Sequence, residues 1–194
     1  AAPFQQAYLK ASNPGLSDTF GNRVAISGDT VVVGAPAEAS DATGVNGDQA
    51  NDRADQSGAA YVFVRNGTNL SQQAYLKASN TGANDRFGMS VAVSGDTVVV
   101  GAPWEDSSTT GVNSTPDESA GGAGAAYVFV RSGKTWTREV YLKPAAVGTT
   151  QAGDNFGWSV AVSGDTAVIG APFEDSSISG PNESGADSGA AYTF

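Results

Sequence analysis

Phe87-Gly88-Met89-Ser90-Val91-Ala92-Val93-Ser94-Gly95-Asp96-Thr97-Val98-Val99-Val100-Gly101-Ala102-Pro103 decides the fold. Val91-Ala92-Val93 alternates apolar and small residues, the pattern of a strand with two unlike faces. Gly95-Asp96 is a two-residue hairpin turn, with glycine supplying a positive φ at its first position. Thr97 to Val100 is a short apolar run, a second and more buried strand, which Pro103 ends by removing a ladder donor.

The stretch occurs three times. Phe20-Gly21 and Phe156-Gly157 match Phe87-Gly88, while Gly34-Ala35-Pro36 and Gly170-Ala171-Pro172 match Gly101-Ala102-Pro103. The first strand recurs at Arg23 to Ser27 and Ser159 to Ser163, and the second at Thr30 to Val33 and Thr166 to Ile169. Further along each unit, Gly58-Ala59-Ala60-Tyr61 returns as Gly124-Ala125-Ala126-Tyr127 and Gly189-Ala190-Ala191-Tyr192. These open a third strand over Ala60 to Val64, Ala126 to Val130 and Ala191 to Phe194. A fourth is expected over Gln73 to Lys77 and Glu139 to Lys143, with a counterpart at Gln6 to Lys10. Ala7-Tyr8-Leu9-Lys10 likewise returns as Ala74-Tyr75-Leu76-Lys77 and Val140-Tyr141-Leu142-Lys143, and four ordered landmarks, each recurring about a third of the chain apart, make this a repeat protein. No helical periodicity is present.

Four short antiparallel strands in a unit of about 65–70 residues form one blade of a β-propeller. The landmarks together resemble the FG-GAP repeat, the unit of the propeller at the head of integrin α subunits and of bacterial surface proteins. The resemblance covers essentially the whole chain. It implies an all-β fold and a role in adhesion or ligand binding, with calcium (Ca2+) held in blade loops. Family calcium loops carry Asp-x-Asp-x-Asp-Gly, and no copy here has that pattern.

On this reading residues 1–194 are one propeller unit. Residues 1–16 hold an outer strand that completes another blade, 17–80 the first blade, 81–146 the second, and 147–194 a third without its outer strand. Three blades are too few to close a ring, since rings run from four to eight. The expected partners are therefore a second copy, closing a six-bladed homodimer or continuing head to tail as a filament, or further blades of a longer chain.

Composition narrows the function. Among 194 residues there is no cysteine and no histidine. That excludes a disulfide framework, thiolate chemistry, the usual zinc ligand and a Ser-His-Asp triad. The formal charge of −10, from 10 Lys and Arg against 20 Asp and Glu, argues against nucleic acid or an anionic membrane as partner. No apolar run reaches the roughly 20 residues that span a bilayer, and no basic stretch precedes an apolar one as in a signal peptide. The polar, acidic, cysteine-free character fits an extracellular or cell-surface protein of a bacterium.

The loops after Gly-Ala-Pro carry the candidate site. They offer Glu38, Asp41, Asn46 and Asp48 in the first copy; Glu105, Asp106, Asn113 and Asp117 in the second; Glu174, Asp175, Asn182 and Asp187 in the third. Carboxylates and amides at recurring offsets can supply the six to eight oxygens that calcium takes. The same residues can instead solvate the loop and shape it through Asx-turns. The first copy has Ala39 where the others have Asp106 and Asp175. Glu105-Asp106 and Glu174-Asp175 could serve a glycosidase-like pair, but they recur in parallel loops, which speaks against one unique active centre. Asp18, Asp85 and Asp154, two residues before each Phe-Gly, read as turn carboxylates that accept backbone amides. Trp104 and Phe173, directly after Gly-Ala-Pro where the first copy has Ala37, are candidate ligand-binding residues, as aromatics beside polar loops stack on sugars or anchor protein partners. Filling the gap between blades is the plainer reading of both, and of Trp158. Trp136 reads as edge packing in an outer hairpin.

Overall fold

The structure, a computed structural model, describes residues 4–145, 152–175 and 187–194. These form three antiparallel sheets. The first runs β1 (Arg23–Ser27), β2 (Thr30–Ala35), β3 (Ala59–Asn66), β4 (Asn69–Leu76) in sequence order. The second repeats it as β5 (Ser90–Ser94), β6 (Thr97–Ala102), β7 (Ala125–Ser132) and β8 (Thr135–Leu142). The third has β9 (Ser159–Ser163), β10 (Thr166–Ala171) and β11 (Ala190–Thr193), with β11 on its outer side.

Turn chemistry sets the register. Gly28, Gly95 and Gly164 sit at φ 55–56°, and the pairs Ser27↔Thr30, Ser94↔Thr97 and Ser163↔Thr166 close around them. Gly67 and Gly133, also at positive φ, turn β3 into β4 and β7 into β8 in the same two-residue manner. The second strand of each unit runs two residues beyond its apolar run. Gly34 and Ala35 still pair with Ala60 and Ala59, and only the proline stops the ladder. β4 and β8 start earlier than hydropathy suggests, because their first residues are polar and point to solvent.

The segment Gln6 to Lys10, expected as an outer strand, is not one. It lies outside every sheet, with Tyr8 80% exposed. A strand exists only against an edge that takes up its backbone hydrogen bonds; this segment pairs with no strand of the described residues, although Leu9 packs against the first sheet's core.

The sheets stack side by side, β5 against β1 and β2, and β9 against β5 and β6. In the first seam Val32, Val62 and Leu76 meet Phe87, Val98 and Trp136. In the second, Val99 and Leu142 meet Phe156, Ala167 and Ile169. Trp136 is thus no edge residue: it is 3% exposed and reaches across the first seam, where its indole N–H donates to Gln73 Oε1 at 2.8 Å.

The glycines of the repeat have a common cause at these seams. Gly58 and Gly88 stand at φ 83° and 89°, and a Cβ on either would fall on a backbone oxygen across the seam, Phe87 O or Ala59 O. A Cβ on Gly34 would fall on Gly88 O. Gly124, Gly157 and Gly101 repeat this arrangement in the second seam. The backbones interlock, with Phe87 N–H donating to Ser57 O at 2.9 Å and Phe156 N–H to Ala123 O at 3.0 Å. The motif recurs because neighbouring blades touch through main chain where a side chain would stand.

Candidate functional site

In an antiparallel blade the β2–β3 loop and the segment leading into β1 emerge at the same end. That face collects the candidate residues among those described, and two kinds of structure stand on it.

The first is a buried ion pair in each complete blade. Lys77 Nζ lies 2.9 Å from Glu38 Oε2, with both side chains at most 1% exposed. Its other two hydrogens go to Ser40 O at 2.8 Å and Ser57 Oγ at 2.7 Å. Glu38 Oε1 accepts from the Tyr75 hydroxyl at 2.9 Å and from Asn13 Nδ2 at 2.8 Å, and the Tyr61 hydroxyl donates to Asn13 Oδ1 at 2.7 Å. The second blade repeats the set with Lys143, Glu105, Tyr141, Asn80 and Tyr127, Ser107 adding a very short bond to Glu105. Burial pushes both lysines down, and the facing glutamate holds them up in part. Burial also raises Tyr61, Tyr75, Tyr127 and Tyr141, so all four remain hydroxyl donors. Each network ties the start of the loop to the residue just past the outer strand and to the connector from the preceding unit. Its signal in the sequence was a lysine recurring after Tyr-Leu in register with a glutamate recurring after Gly-Ala-Pro, an opposite-charge pair hidden by distance along the chain.

The remaining loop residues hold backbone. Asn46 and Asn113, both at φ 55°, accept from Tyr75 N–H and Tyr141 N–H at 2.9 Å, while their own N–H groups donate back to the same residues' carbonyls at 2.8 Å. Asp48 accepts Ala50 N–H at 3.0 Å, Asp106 accepts Gly122 N–H at 2.7 Å, and Asp175 accepts Asp187 N–H at 2.7 Å. Asp117 takes the amides of Ser108 and Ser119 and both hydroxyls, and the Ser108 amide leads in holding its carboxyl down at about 2. Asp41 makes an exposed 3.6 Å pair with Arg53. Glu174 is buried, and Asn182 lies outside the described residues. Among the described residues no three acidic side chains converge as a cation cage. In the first two blades the glutamates face lysine and the asparagines, Asp106 and Asp117 accept backbone amides, while most of the third loop lies outside the described residues.

Asp18 and Asp85 accept Gly15 N–H at 2.6 Å and Gly82 N–H at 2.8 Å, the turn role read from the sequence. Burial pushes Asp85 up to about 7 against the pull of the Gly82 amide, with Glu105, Glu118 and Asp106 adding to the rise.

The second structure is an aromatic ladder. Trp104 lies 5.4 Å from Trp158 between ring centroids, and Trp158 lies 5.8 Å from Phe173, edge to face. The Arg86 guanidinium sits 4.9 Å over the Trp104 ring. Trp158 is 36% and Phe173 39% exposed. The two candidate ligand residues are thus joined through Trp158 into one strip crossing the second seam. Phe20, Phe87 and Phe156 pack edge to face on Tyr61, Tyr127 and Tyr192 at 5.3–5.4 Å, and Phe87 and Phe156 also fill the seams to the preceding sheet.

Compared with known proteins, residues 3–63, 70–129 and 145–194 each match the FG-GAP repeat. No curated protein matches the chain. With three matched repeats spanning most of its length, the chain belongs to the FG-GAP repeat family.

Proposed function

We propose that the chain is a non-enzymatic, extracellular binding and adhesion module, part of a larger oligomeric propeller, whose ligand lies on the ladder of Trp104, Trp158 and Phe173. One observation carries this reading: three rings joined through Trp158, two of them more than a third exposed, on the face where the long polar loops emerge. Exposed aromatic clusters rimmed by polar residues are binding surfaces far more often than inert ones. Catalysis has little to work with. The chain has no cysteine or histidine, and in each complete blade the most deeply buried carboxylate is neutralised by a lysine.

The chemistry of the strip favours a ligand with a flat apolar face and polar edges. A pyranose ring fits that description, its C–H face on Trp158 and its hydroxyls toward Arg86 and the loop residues. This supports a carbohydrate-binding form of the adhesion reading.

A glycan array and a cell-adhesion assay with the native chain, Trp158→Ala and Trp104→Ala test both. At least a tenfold loss of binding is expected for each variant, with thermal unfolding within a few degrees of native. Adhesion that survives both substitutions removes the ladder as the site. Adhesion lost without any glycan signal leaves a protein ligand in place of a sugar.

A further inference from the structure

The residue directly before each Phe-Gly is Thr19, Arg86 or Asn155, and all three take one left-handed turn at φ 55–59°. The main chains of the last two dock alike. Arg86 N–H donates to Gln56 O at 3.1 Å across the first seam, and Asn155 N–H to Gly122 O at 3.0 Å across the second. Their side chains part. Asn155 Nδ2 donates to Pro103 O at 3.0 Å and Gly122 O at 2.9 Å, stitching the second seam. Arg86 instead lines the open groove of about 450 Å³ at the first seam, with Gln56 and Thr19, and its guanidinium lies over the Trp104 ring.

That guanidinium is an exception among the cations of the chain. Lys77 and Lys143 are buried against Glu38 and Glu105. Half-buried Arg65 and Arg131 pair with Asp29 and Asp96, and exposed Arg53 pairs with Asp41. Lys10, Arg23, Lys134 and Arg138 stand exposed to water. Among the described residues, Arg86 alone is partly withdrawn from solvent with no carboxylate paired to it. Asp55, on the same groove, is exposed and forms no ion pair with it. Stacking fixes the plane of the guanidinium and leaves its edge of N–H donors unengaged. Such a fork matches a carboxylate through two parallel hydrogen bonds, and its orientation is set before a ligand arrives.

We infer that the ligand of this face is a carboxylate-bearing sugar, its acid group held by two prongs of Arg86 and its ring laid on the neighbouring rings of the ladder. The inference rests on the ladder reading above and adds the chemical class. The ladder alone accepts any pyranose with a flat C–H face; Arg86 gives an acid the advantage. The groove beside it has the volume of a small-molecule site, with Gln56 and Thr19 for the hydroxyls next to the carboxylate. The formal charge of −10 opposes extended polyanions more than a single acid group. At physiological ionic strength exposed charges beyond about 8 Å are largely screened, so the cation in contact decides.

The test is a glycan array of chains ending in glucuronic acid, sialic acid, glucose, galactose or sulfated galactose. It is probed with the native chain, Arg86→Asn, Arg86→Lys and Trp158→Ala. Arg86→Asn copies the residue of the third unit at the same φ and is expected to match the native fold by circular dichroism. Expected is binding to one or both acid-ended chains, at least tenfold tighter than to neutral ones, with the responding chain naming the source of the carboxylate. A tenfold or greater loss is expected in Arg86→Asn and in Trp158→Ala. Arg86→Lys should recover only part, because it keeps the charge and lacks the fork. Reducing the carboxylates of the bound chain to alcohols should lower native binding to the level of Arg86→Asn, a readout that needs no variant to fold. Sulfated chains bound as tightly as the acids overturn the carboxylate assignment. Neutral chains bound as tightly as acidic ones, lost in Trp158→Ala and unchanged in Arg86→Asn, overturn this inference and leave the ladder as a neutral-sugar site. Binding to no chain at all overturns both.

Discussion

The two seams of this molecule share one backbone and differ in what fills them. At the loop end, the first seam is open: a groove of about 450 Å³ lies among Leu16, Asn22, Ala37, Arg86 and Met89. At the same place in the second seam Trp104 stands for Ala37 and Trp158 for Met89, and the rings close over the gap. Toward the outer strands the pattern reverses, Trp136 sealing the first seam while the second has an open apolar groove. Yet the glycine contacts that set the spacing are the same in both. The geometry of a seam therefore resides in main-chain interlock, and its side chains are free to differ, an indole sealing the outer part of the first seam and a row of rings closing the loop end of the second.

The sharpest way to break that comparison is to fill the interlock. Gly88→Ala combines a left-handed backbone with a Cβ placed on Ala59 O. No flexible side chain can yield there, so a loss of more than about 4 kcal/mol is expected in chemical denaturation. Gly21→Ala changes the same motif residue at a similar φ of 93° but meets nothing. It is expected to cost about 1–2 kcal/mol of backbone strain in the single chain. Equal losses at the two sites would mean that the glycine serves its own turn and not the seam.

Next in size are the buried ion pairs. Lys77→Met strands Glu38 without its cation and is expected to cost about 3–5 kcal/mol, with Lys143→Met alike in the second blade. Pairing Lys77→Met with Glu38→Leu should recover most of the loss, because desolvating two charges consumes much of what their attraction returns. Lys10→Met, at an exposed position, should fall within about 0.5 kcal/mol. A large effect of Lys10→Met would show that this lysine too has a partner in the folded chain.

These contrasts mark what the sequence could and could not reveal. Hairpins and strands were legible because Gly-Asp turns and apolar runs are local, and threefold recurrence averaged out the accidents of any one copy. The interlock at Gly34, Gly58 and Gly88 was invisible, since one unit's letters say nothing about how near a neighbour's carbonyl comes. Glu38 and Glu105 looked like cation ligands because they sit in acidic loops, and the lysines that meet them lie 39 and 38 positions away. Trp136 looked peripheral because its hairpin is outermost in its own sheet, although the adjacent sheet lies directly beneath it. Gln6 to Lys10 read as a strand because it repeats Gln73 to Lys77, and a repeat supplies the side chains of a strand and not the edge it needs.

A smaller effect separates the connectors at the two ends of the first unit. Asp85 lies beneath the second sheet's first turn with Glu105, Asp106 and Glu118 around it, and it holds its proton to about pH 7. The unfolded chain releases that proton near the ordinary value of 3.8. Between those limits the folded state binds more protons, so stability falls as pH rises from about 4 to about 7 and stays at its lower level above. Asp85→Asn keeps an acceptor for the Gly82 amide and carries no charge. It should match the native chain near pH 4 and exceed it by about 2–4 kcal/mol above pH 7. Urea midpoints taken across that range read the difference directly, and parallel curves for the two proteins would remove Asp85 as the source.

The smallest expected effect is none. Calcium at millimolar concentration should leave the melting temperature of the native chain unchanged, because a ligand that binds only the folded state must raise it, and these loops present no converging set of free carboxylates among the described residues. The ion pairs give this a second arm. In Lys143→Met, Glu105 loses its cation while Asp106 and Asp117 still accept backbone amides on the same loop. If those amide bonds hold the loop shut, calcium should fail to rescue that variant as well. A midpoint that rises with calcium in Lys143→Met and not in the native chain would mean that the lysine occupies a latent cation site. A rise in both would mean that the loop rearranges around the ion, and that the comparison between blades has to be drawn on metal occupancy before side-chain filling.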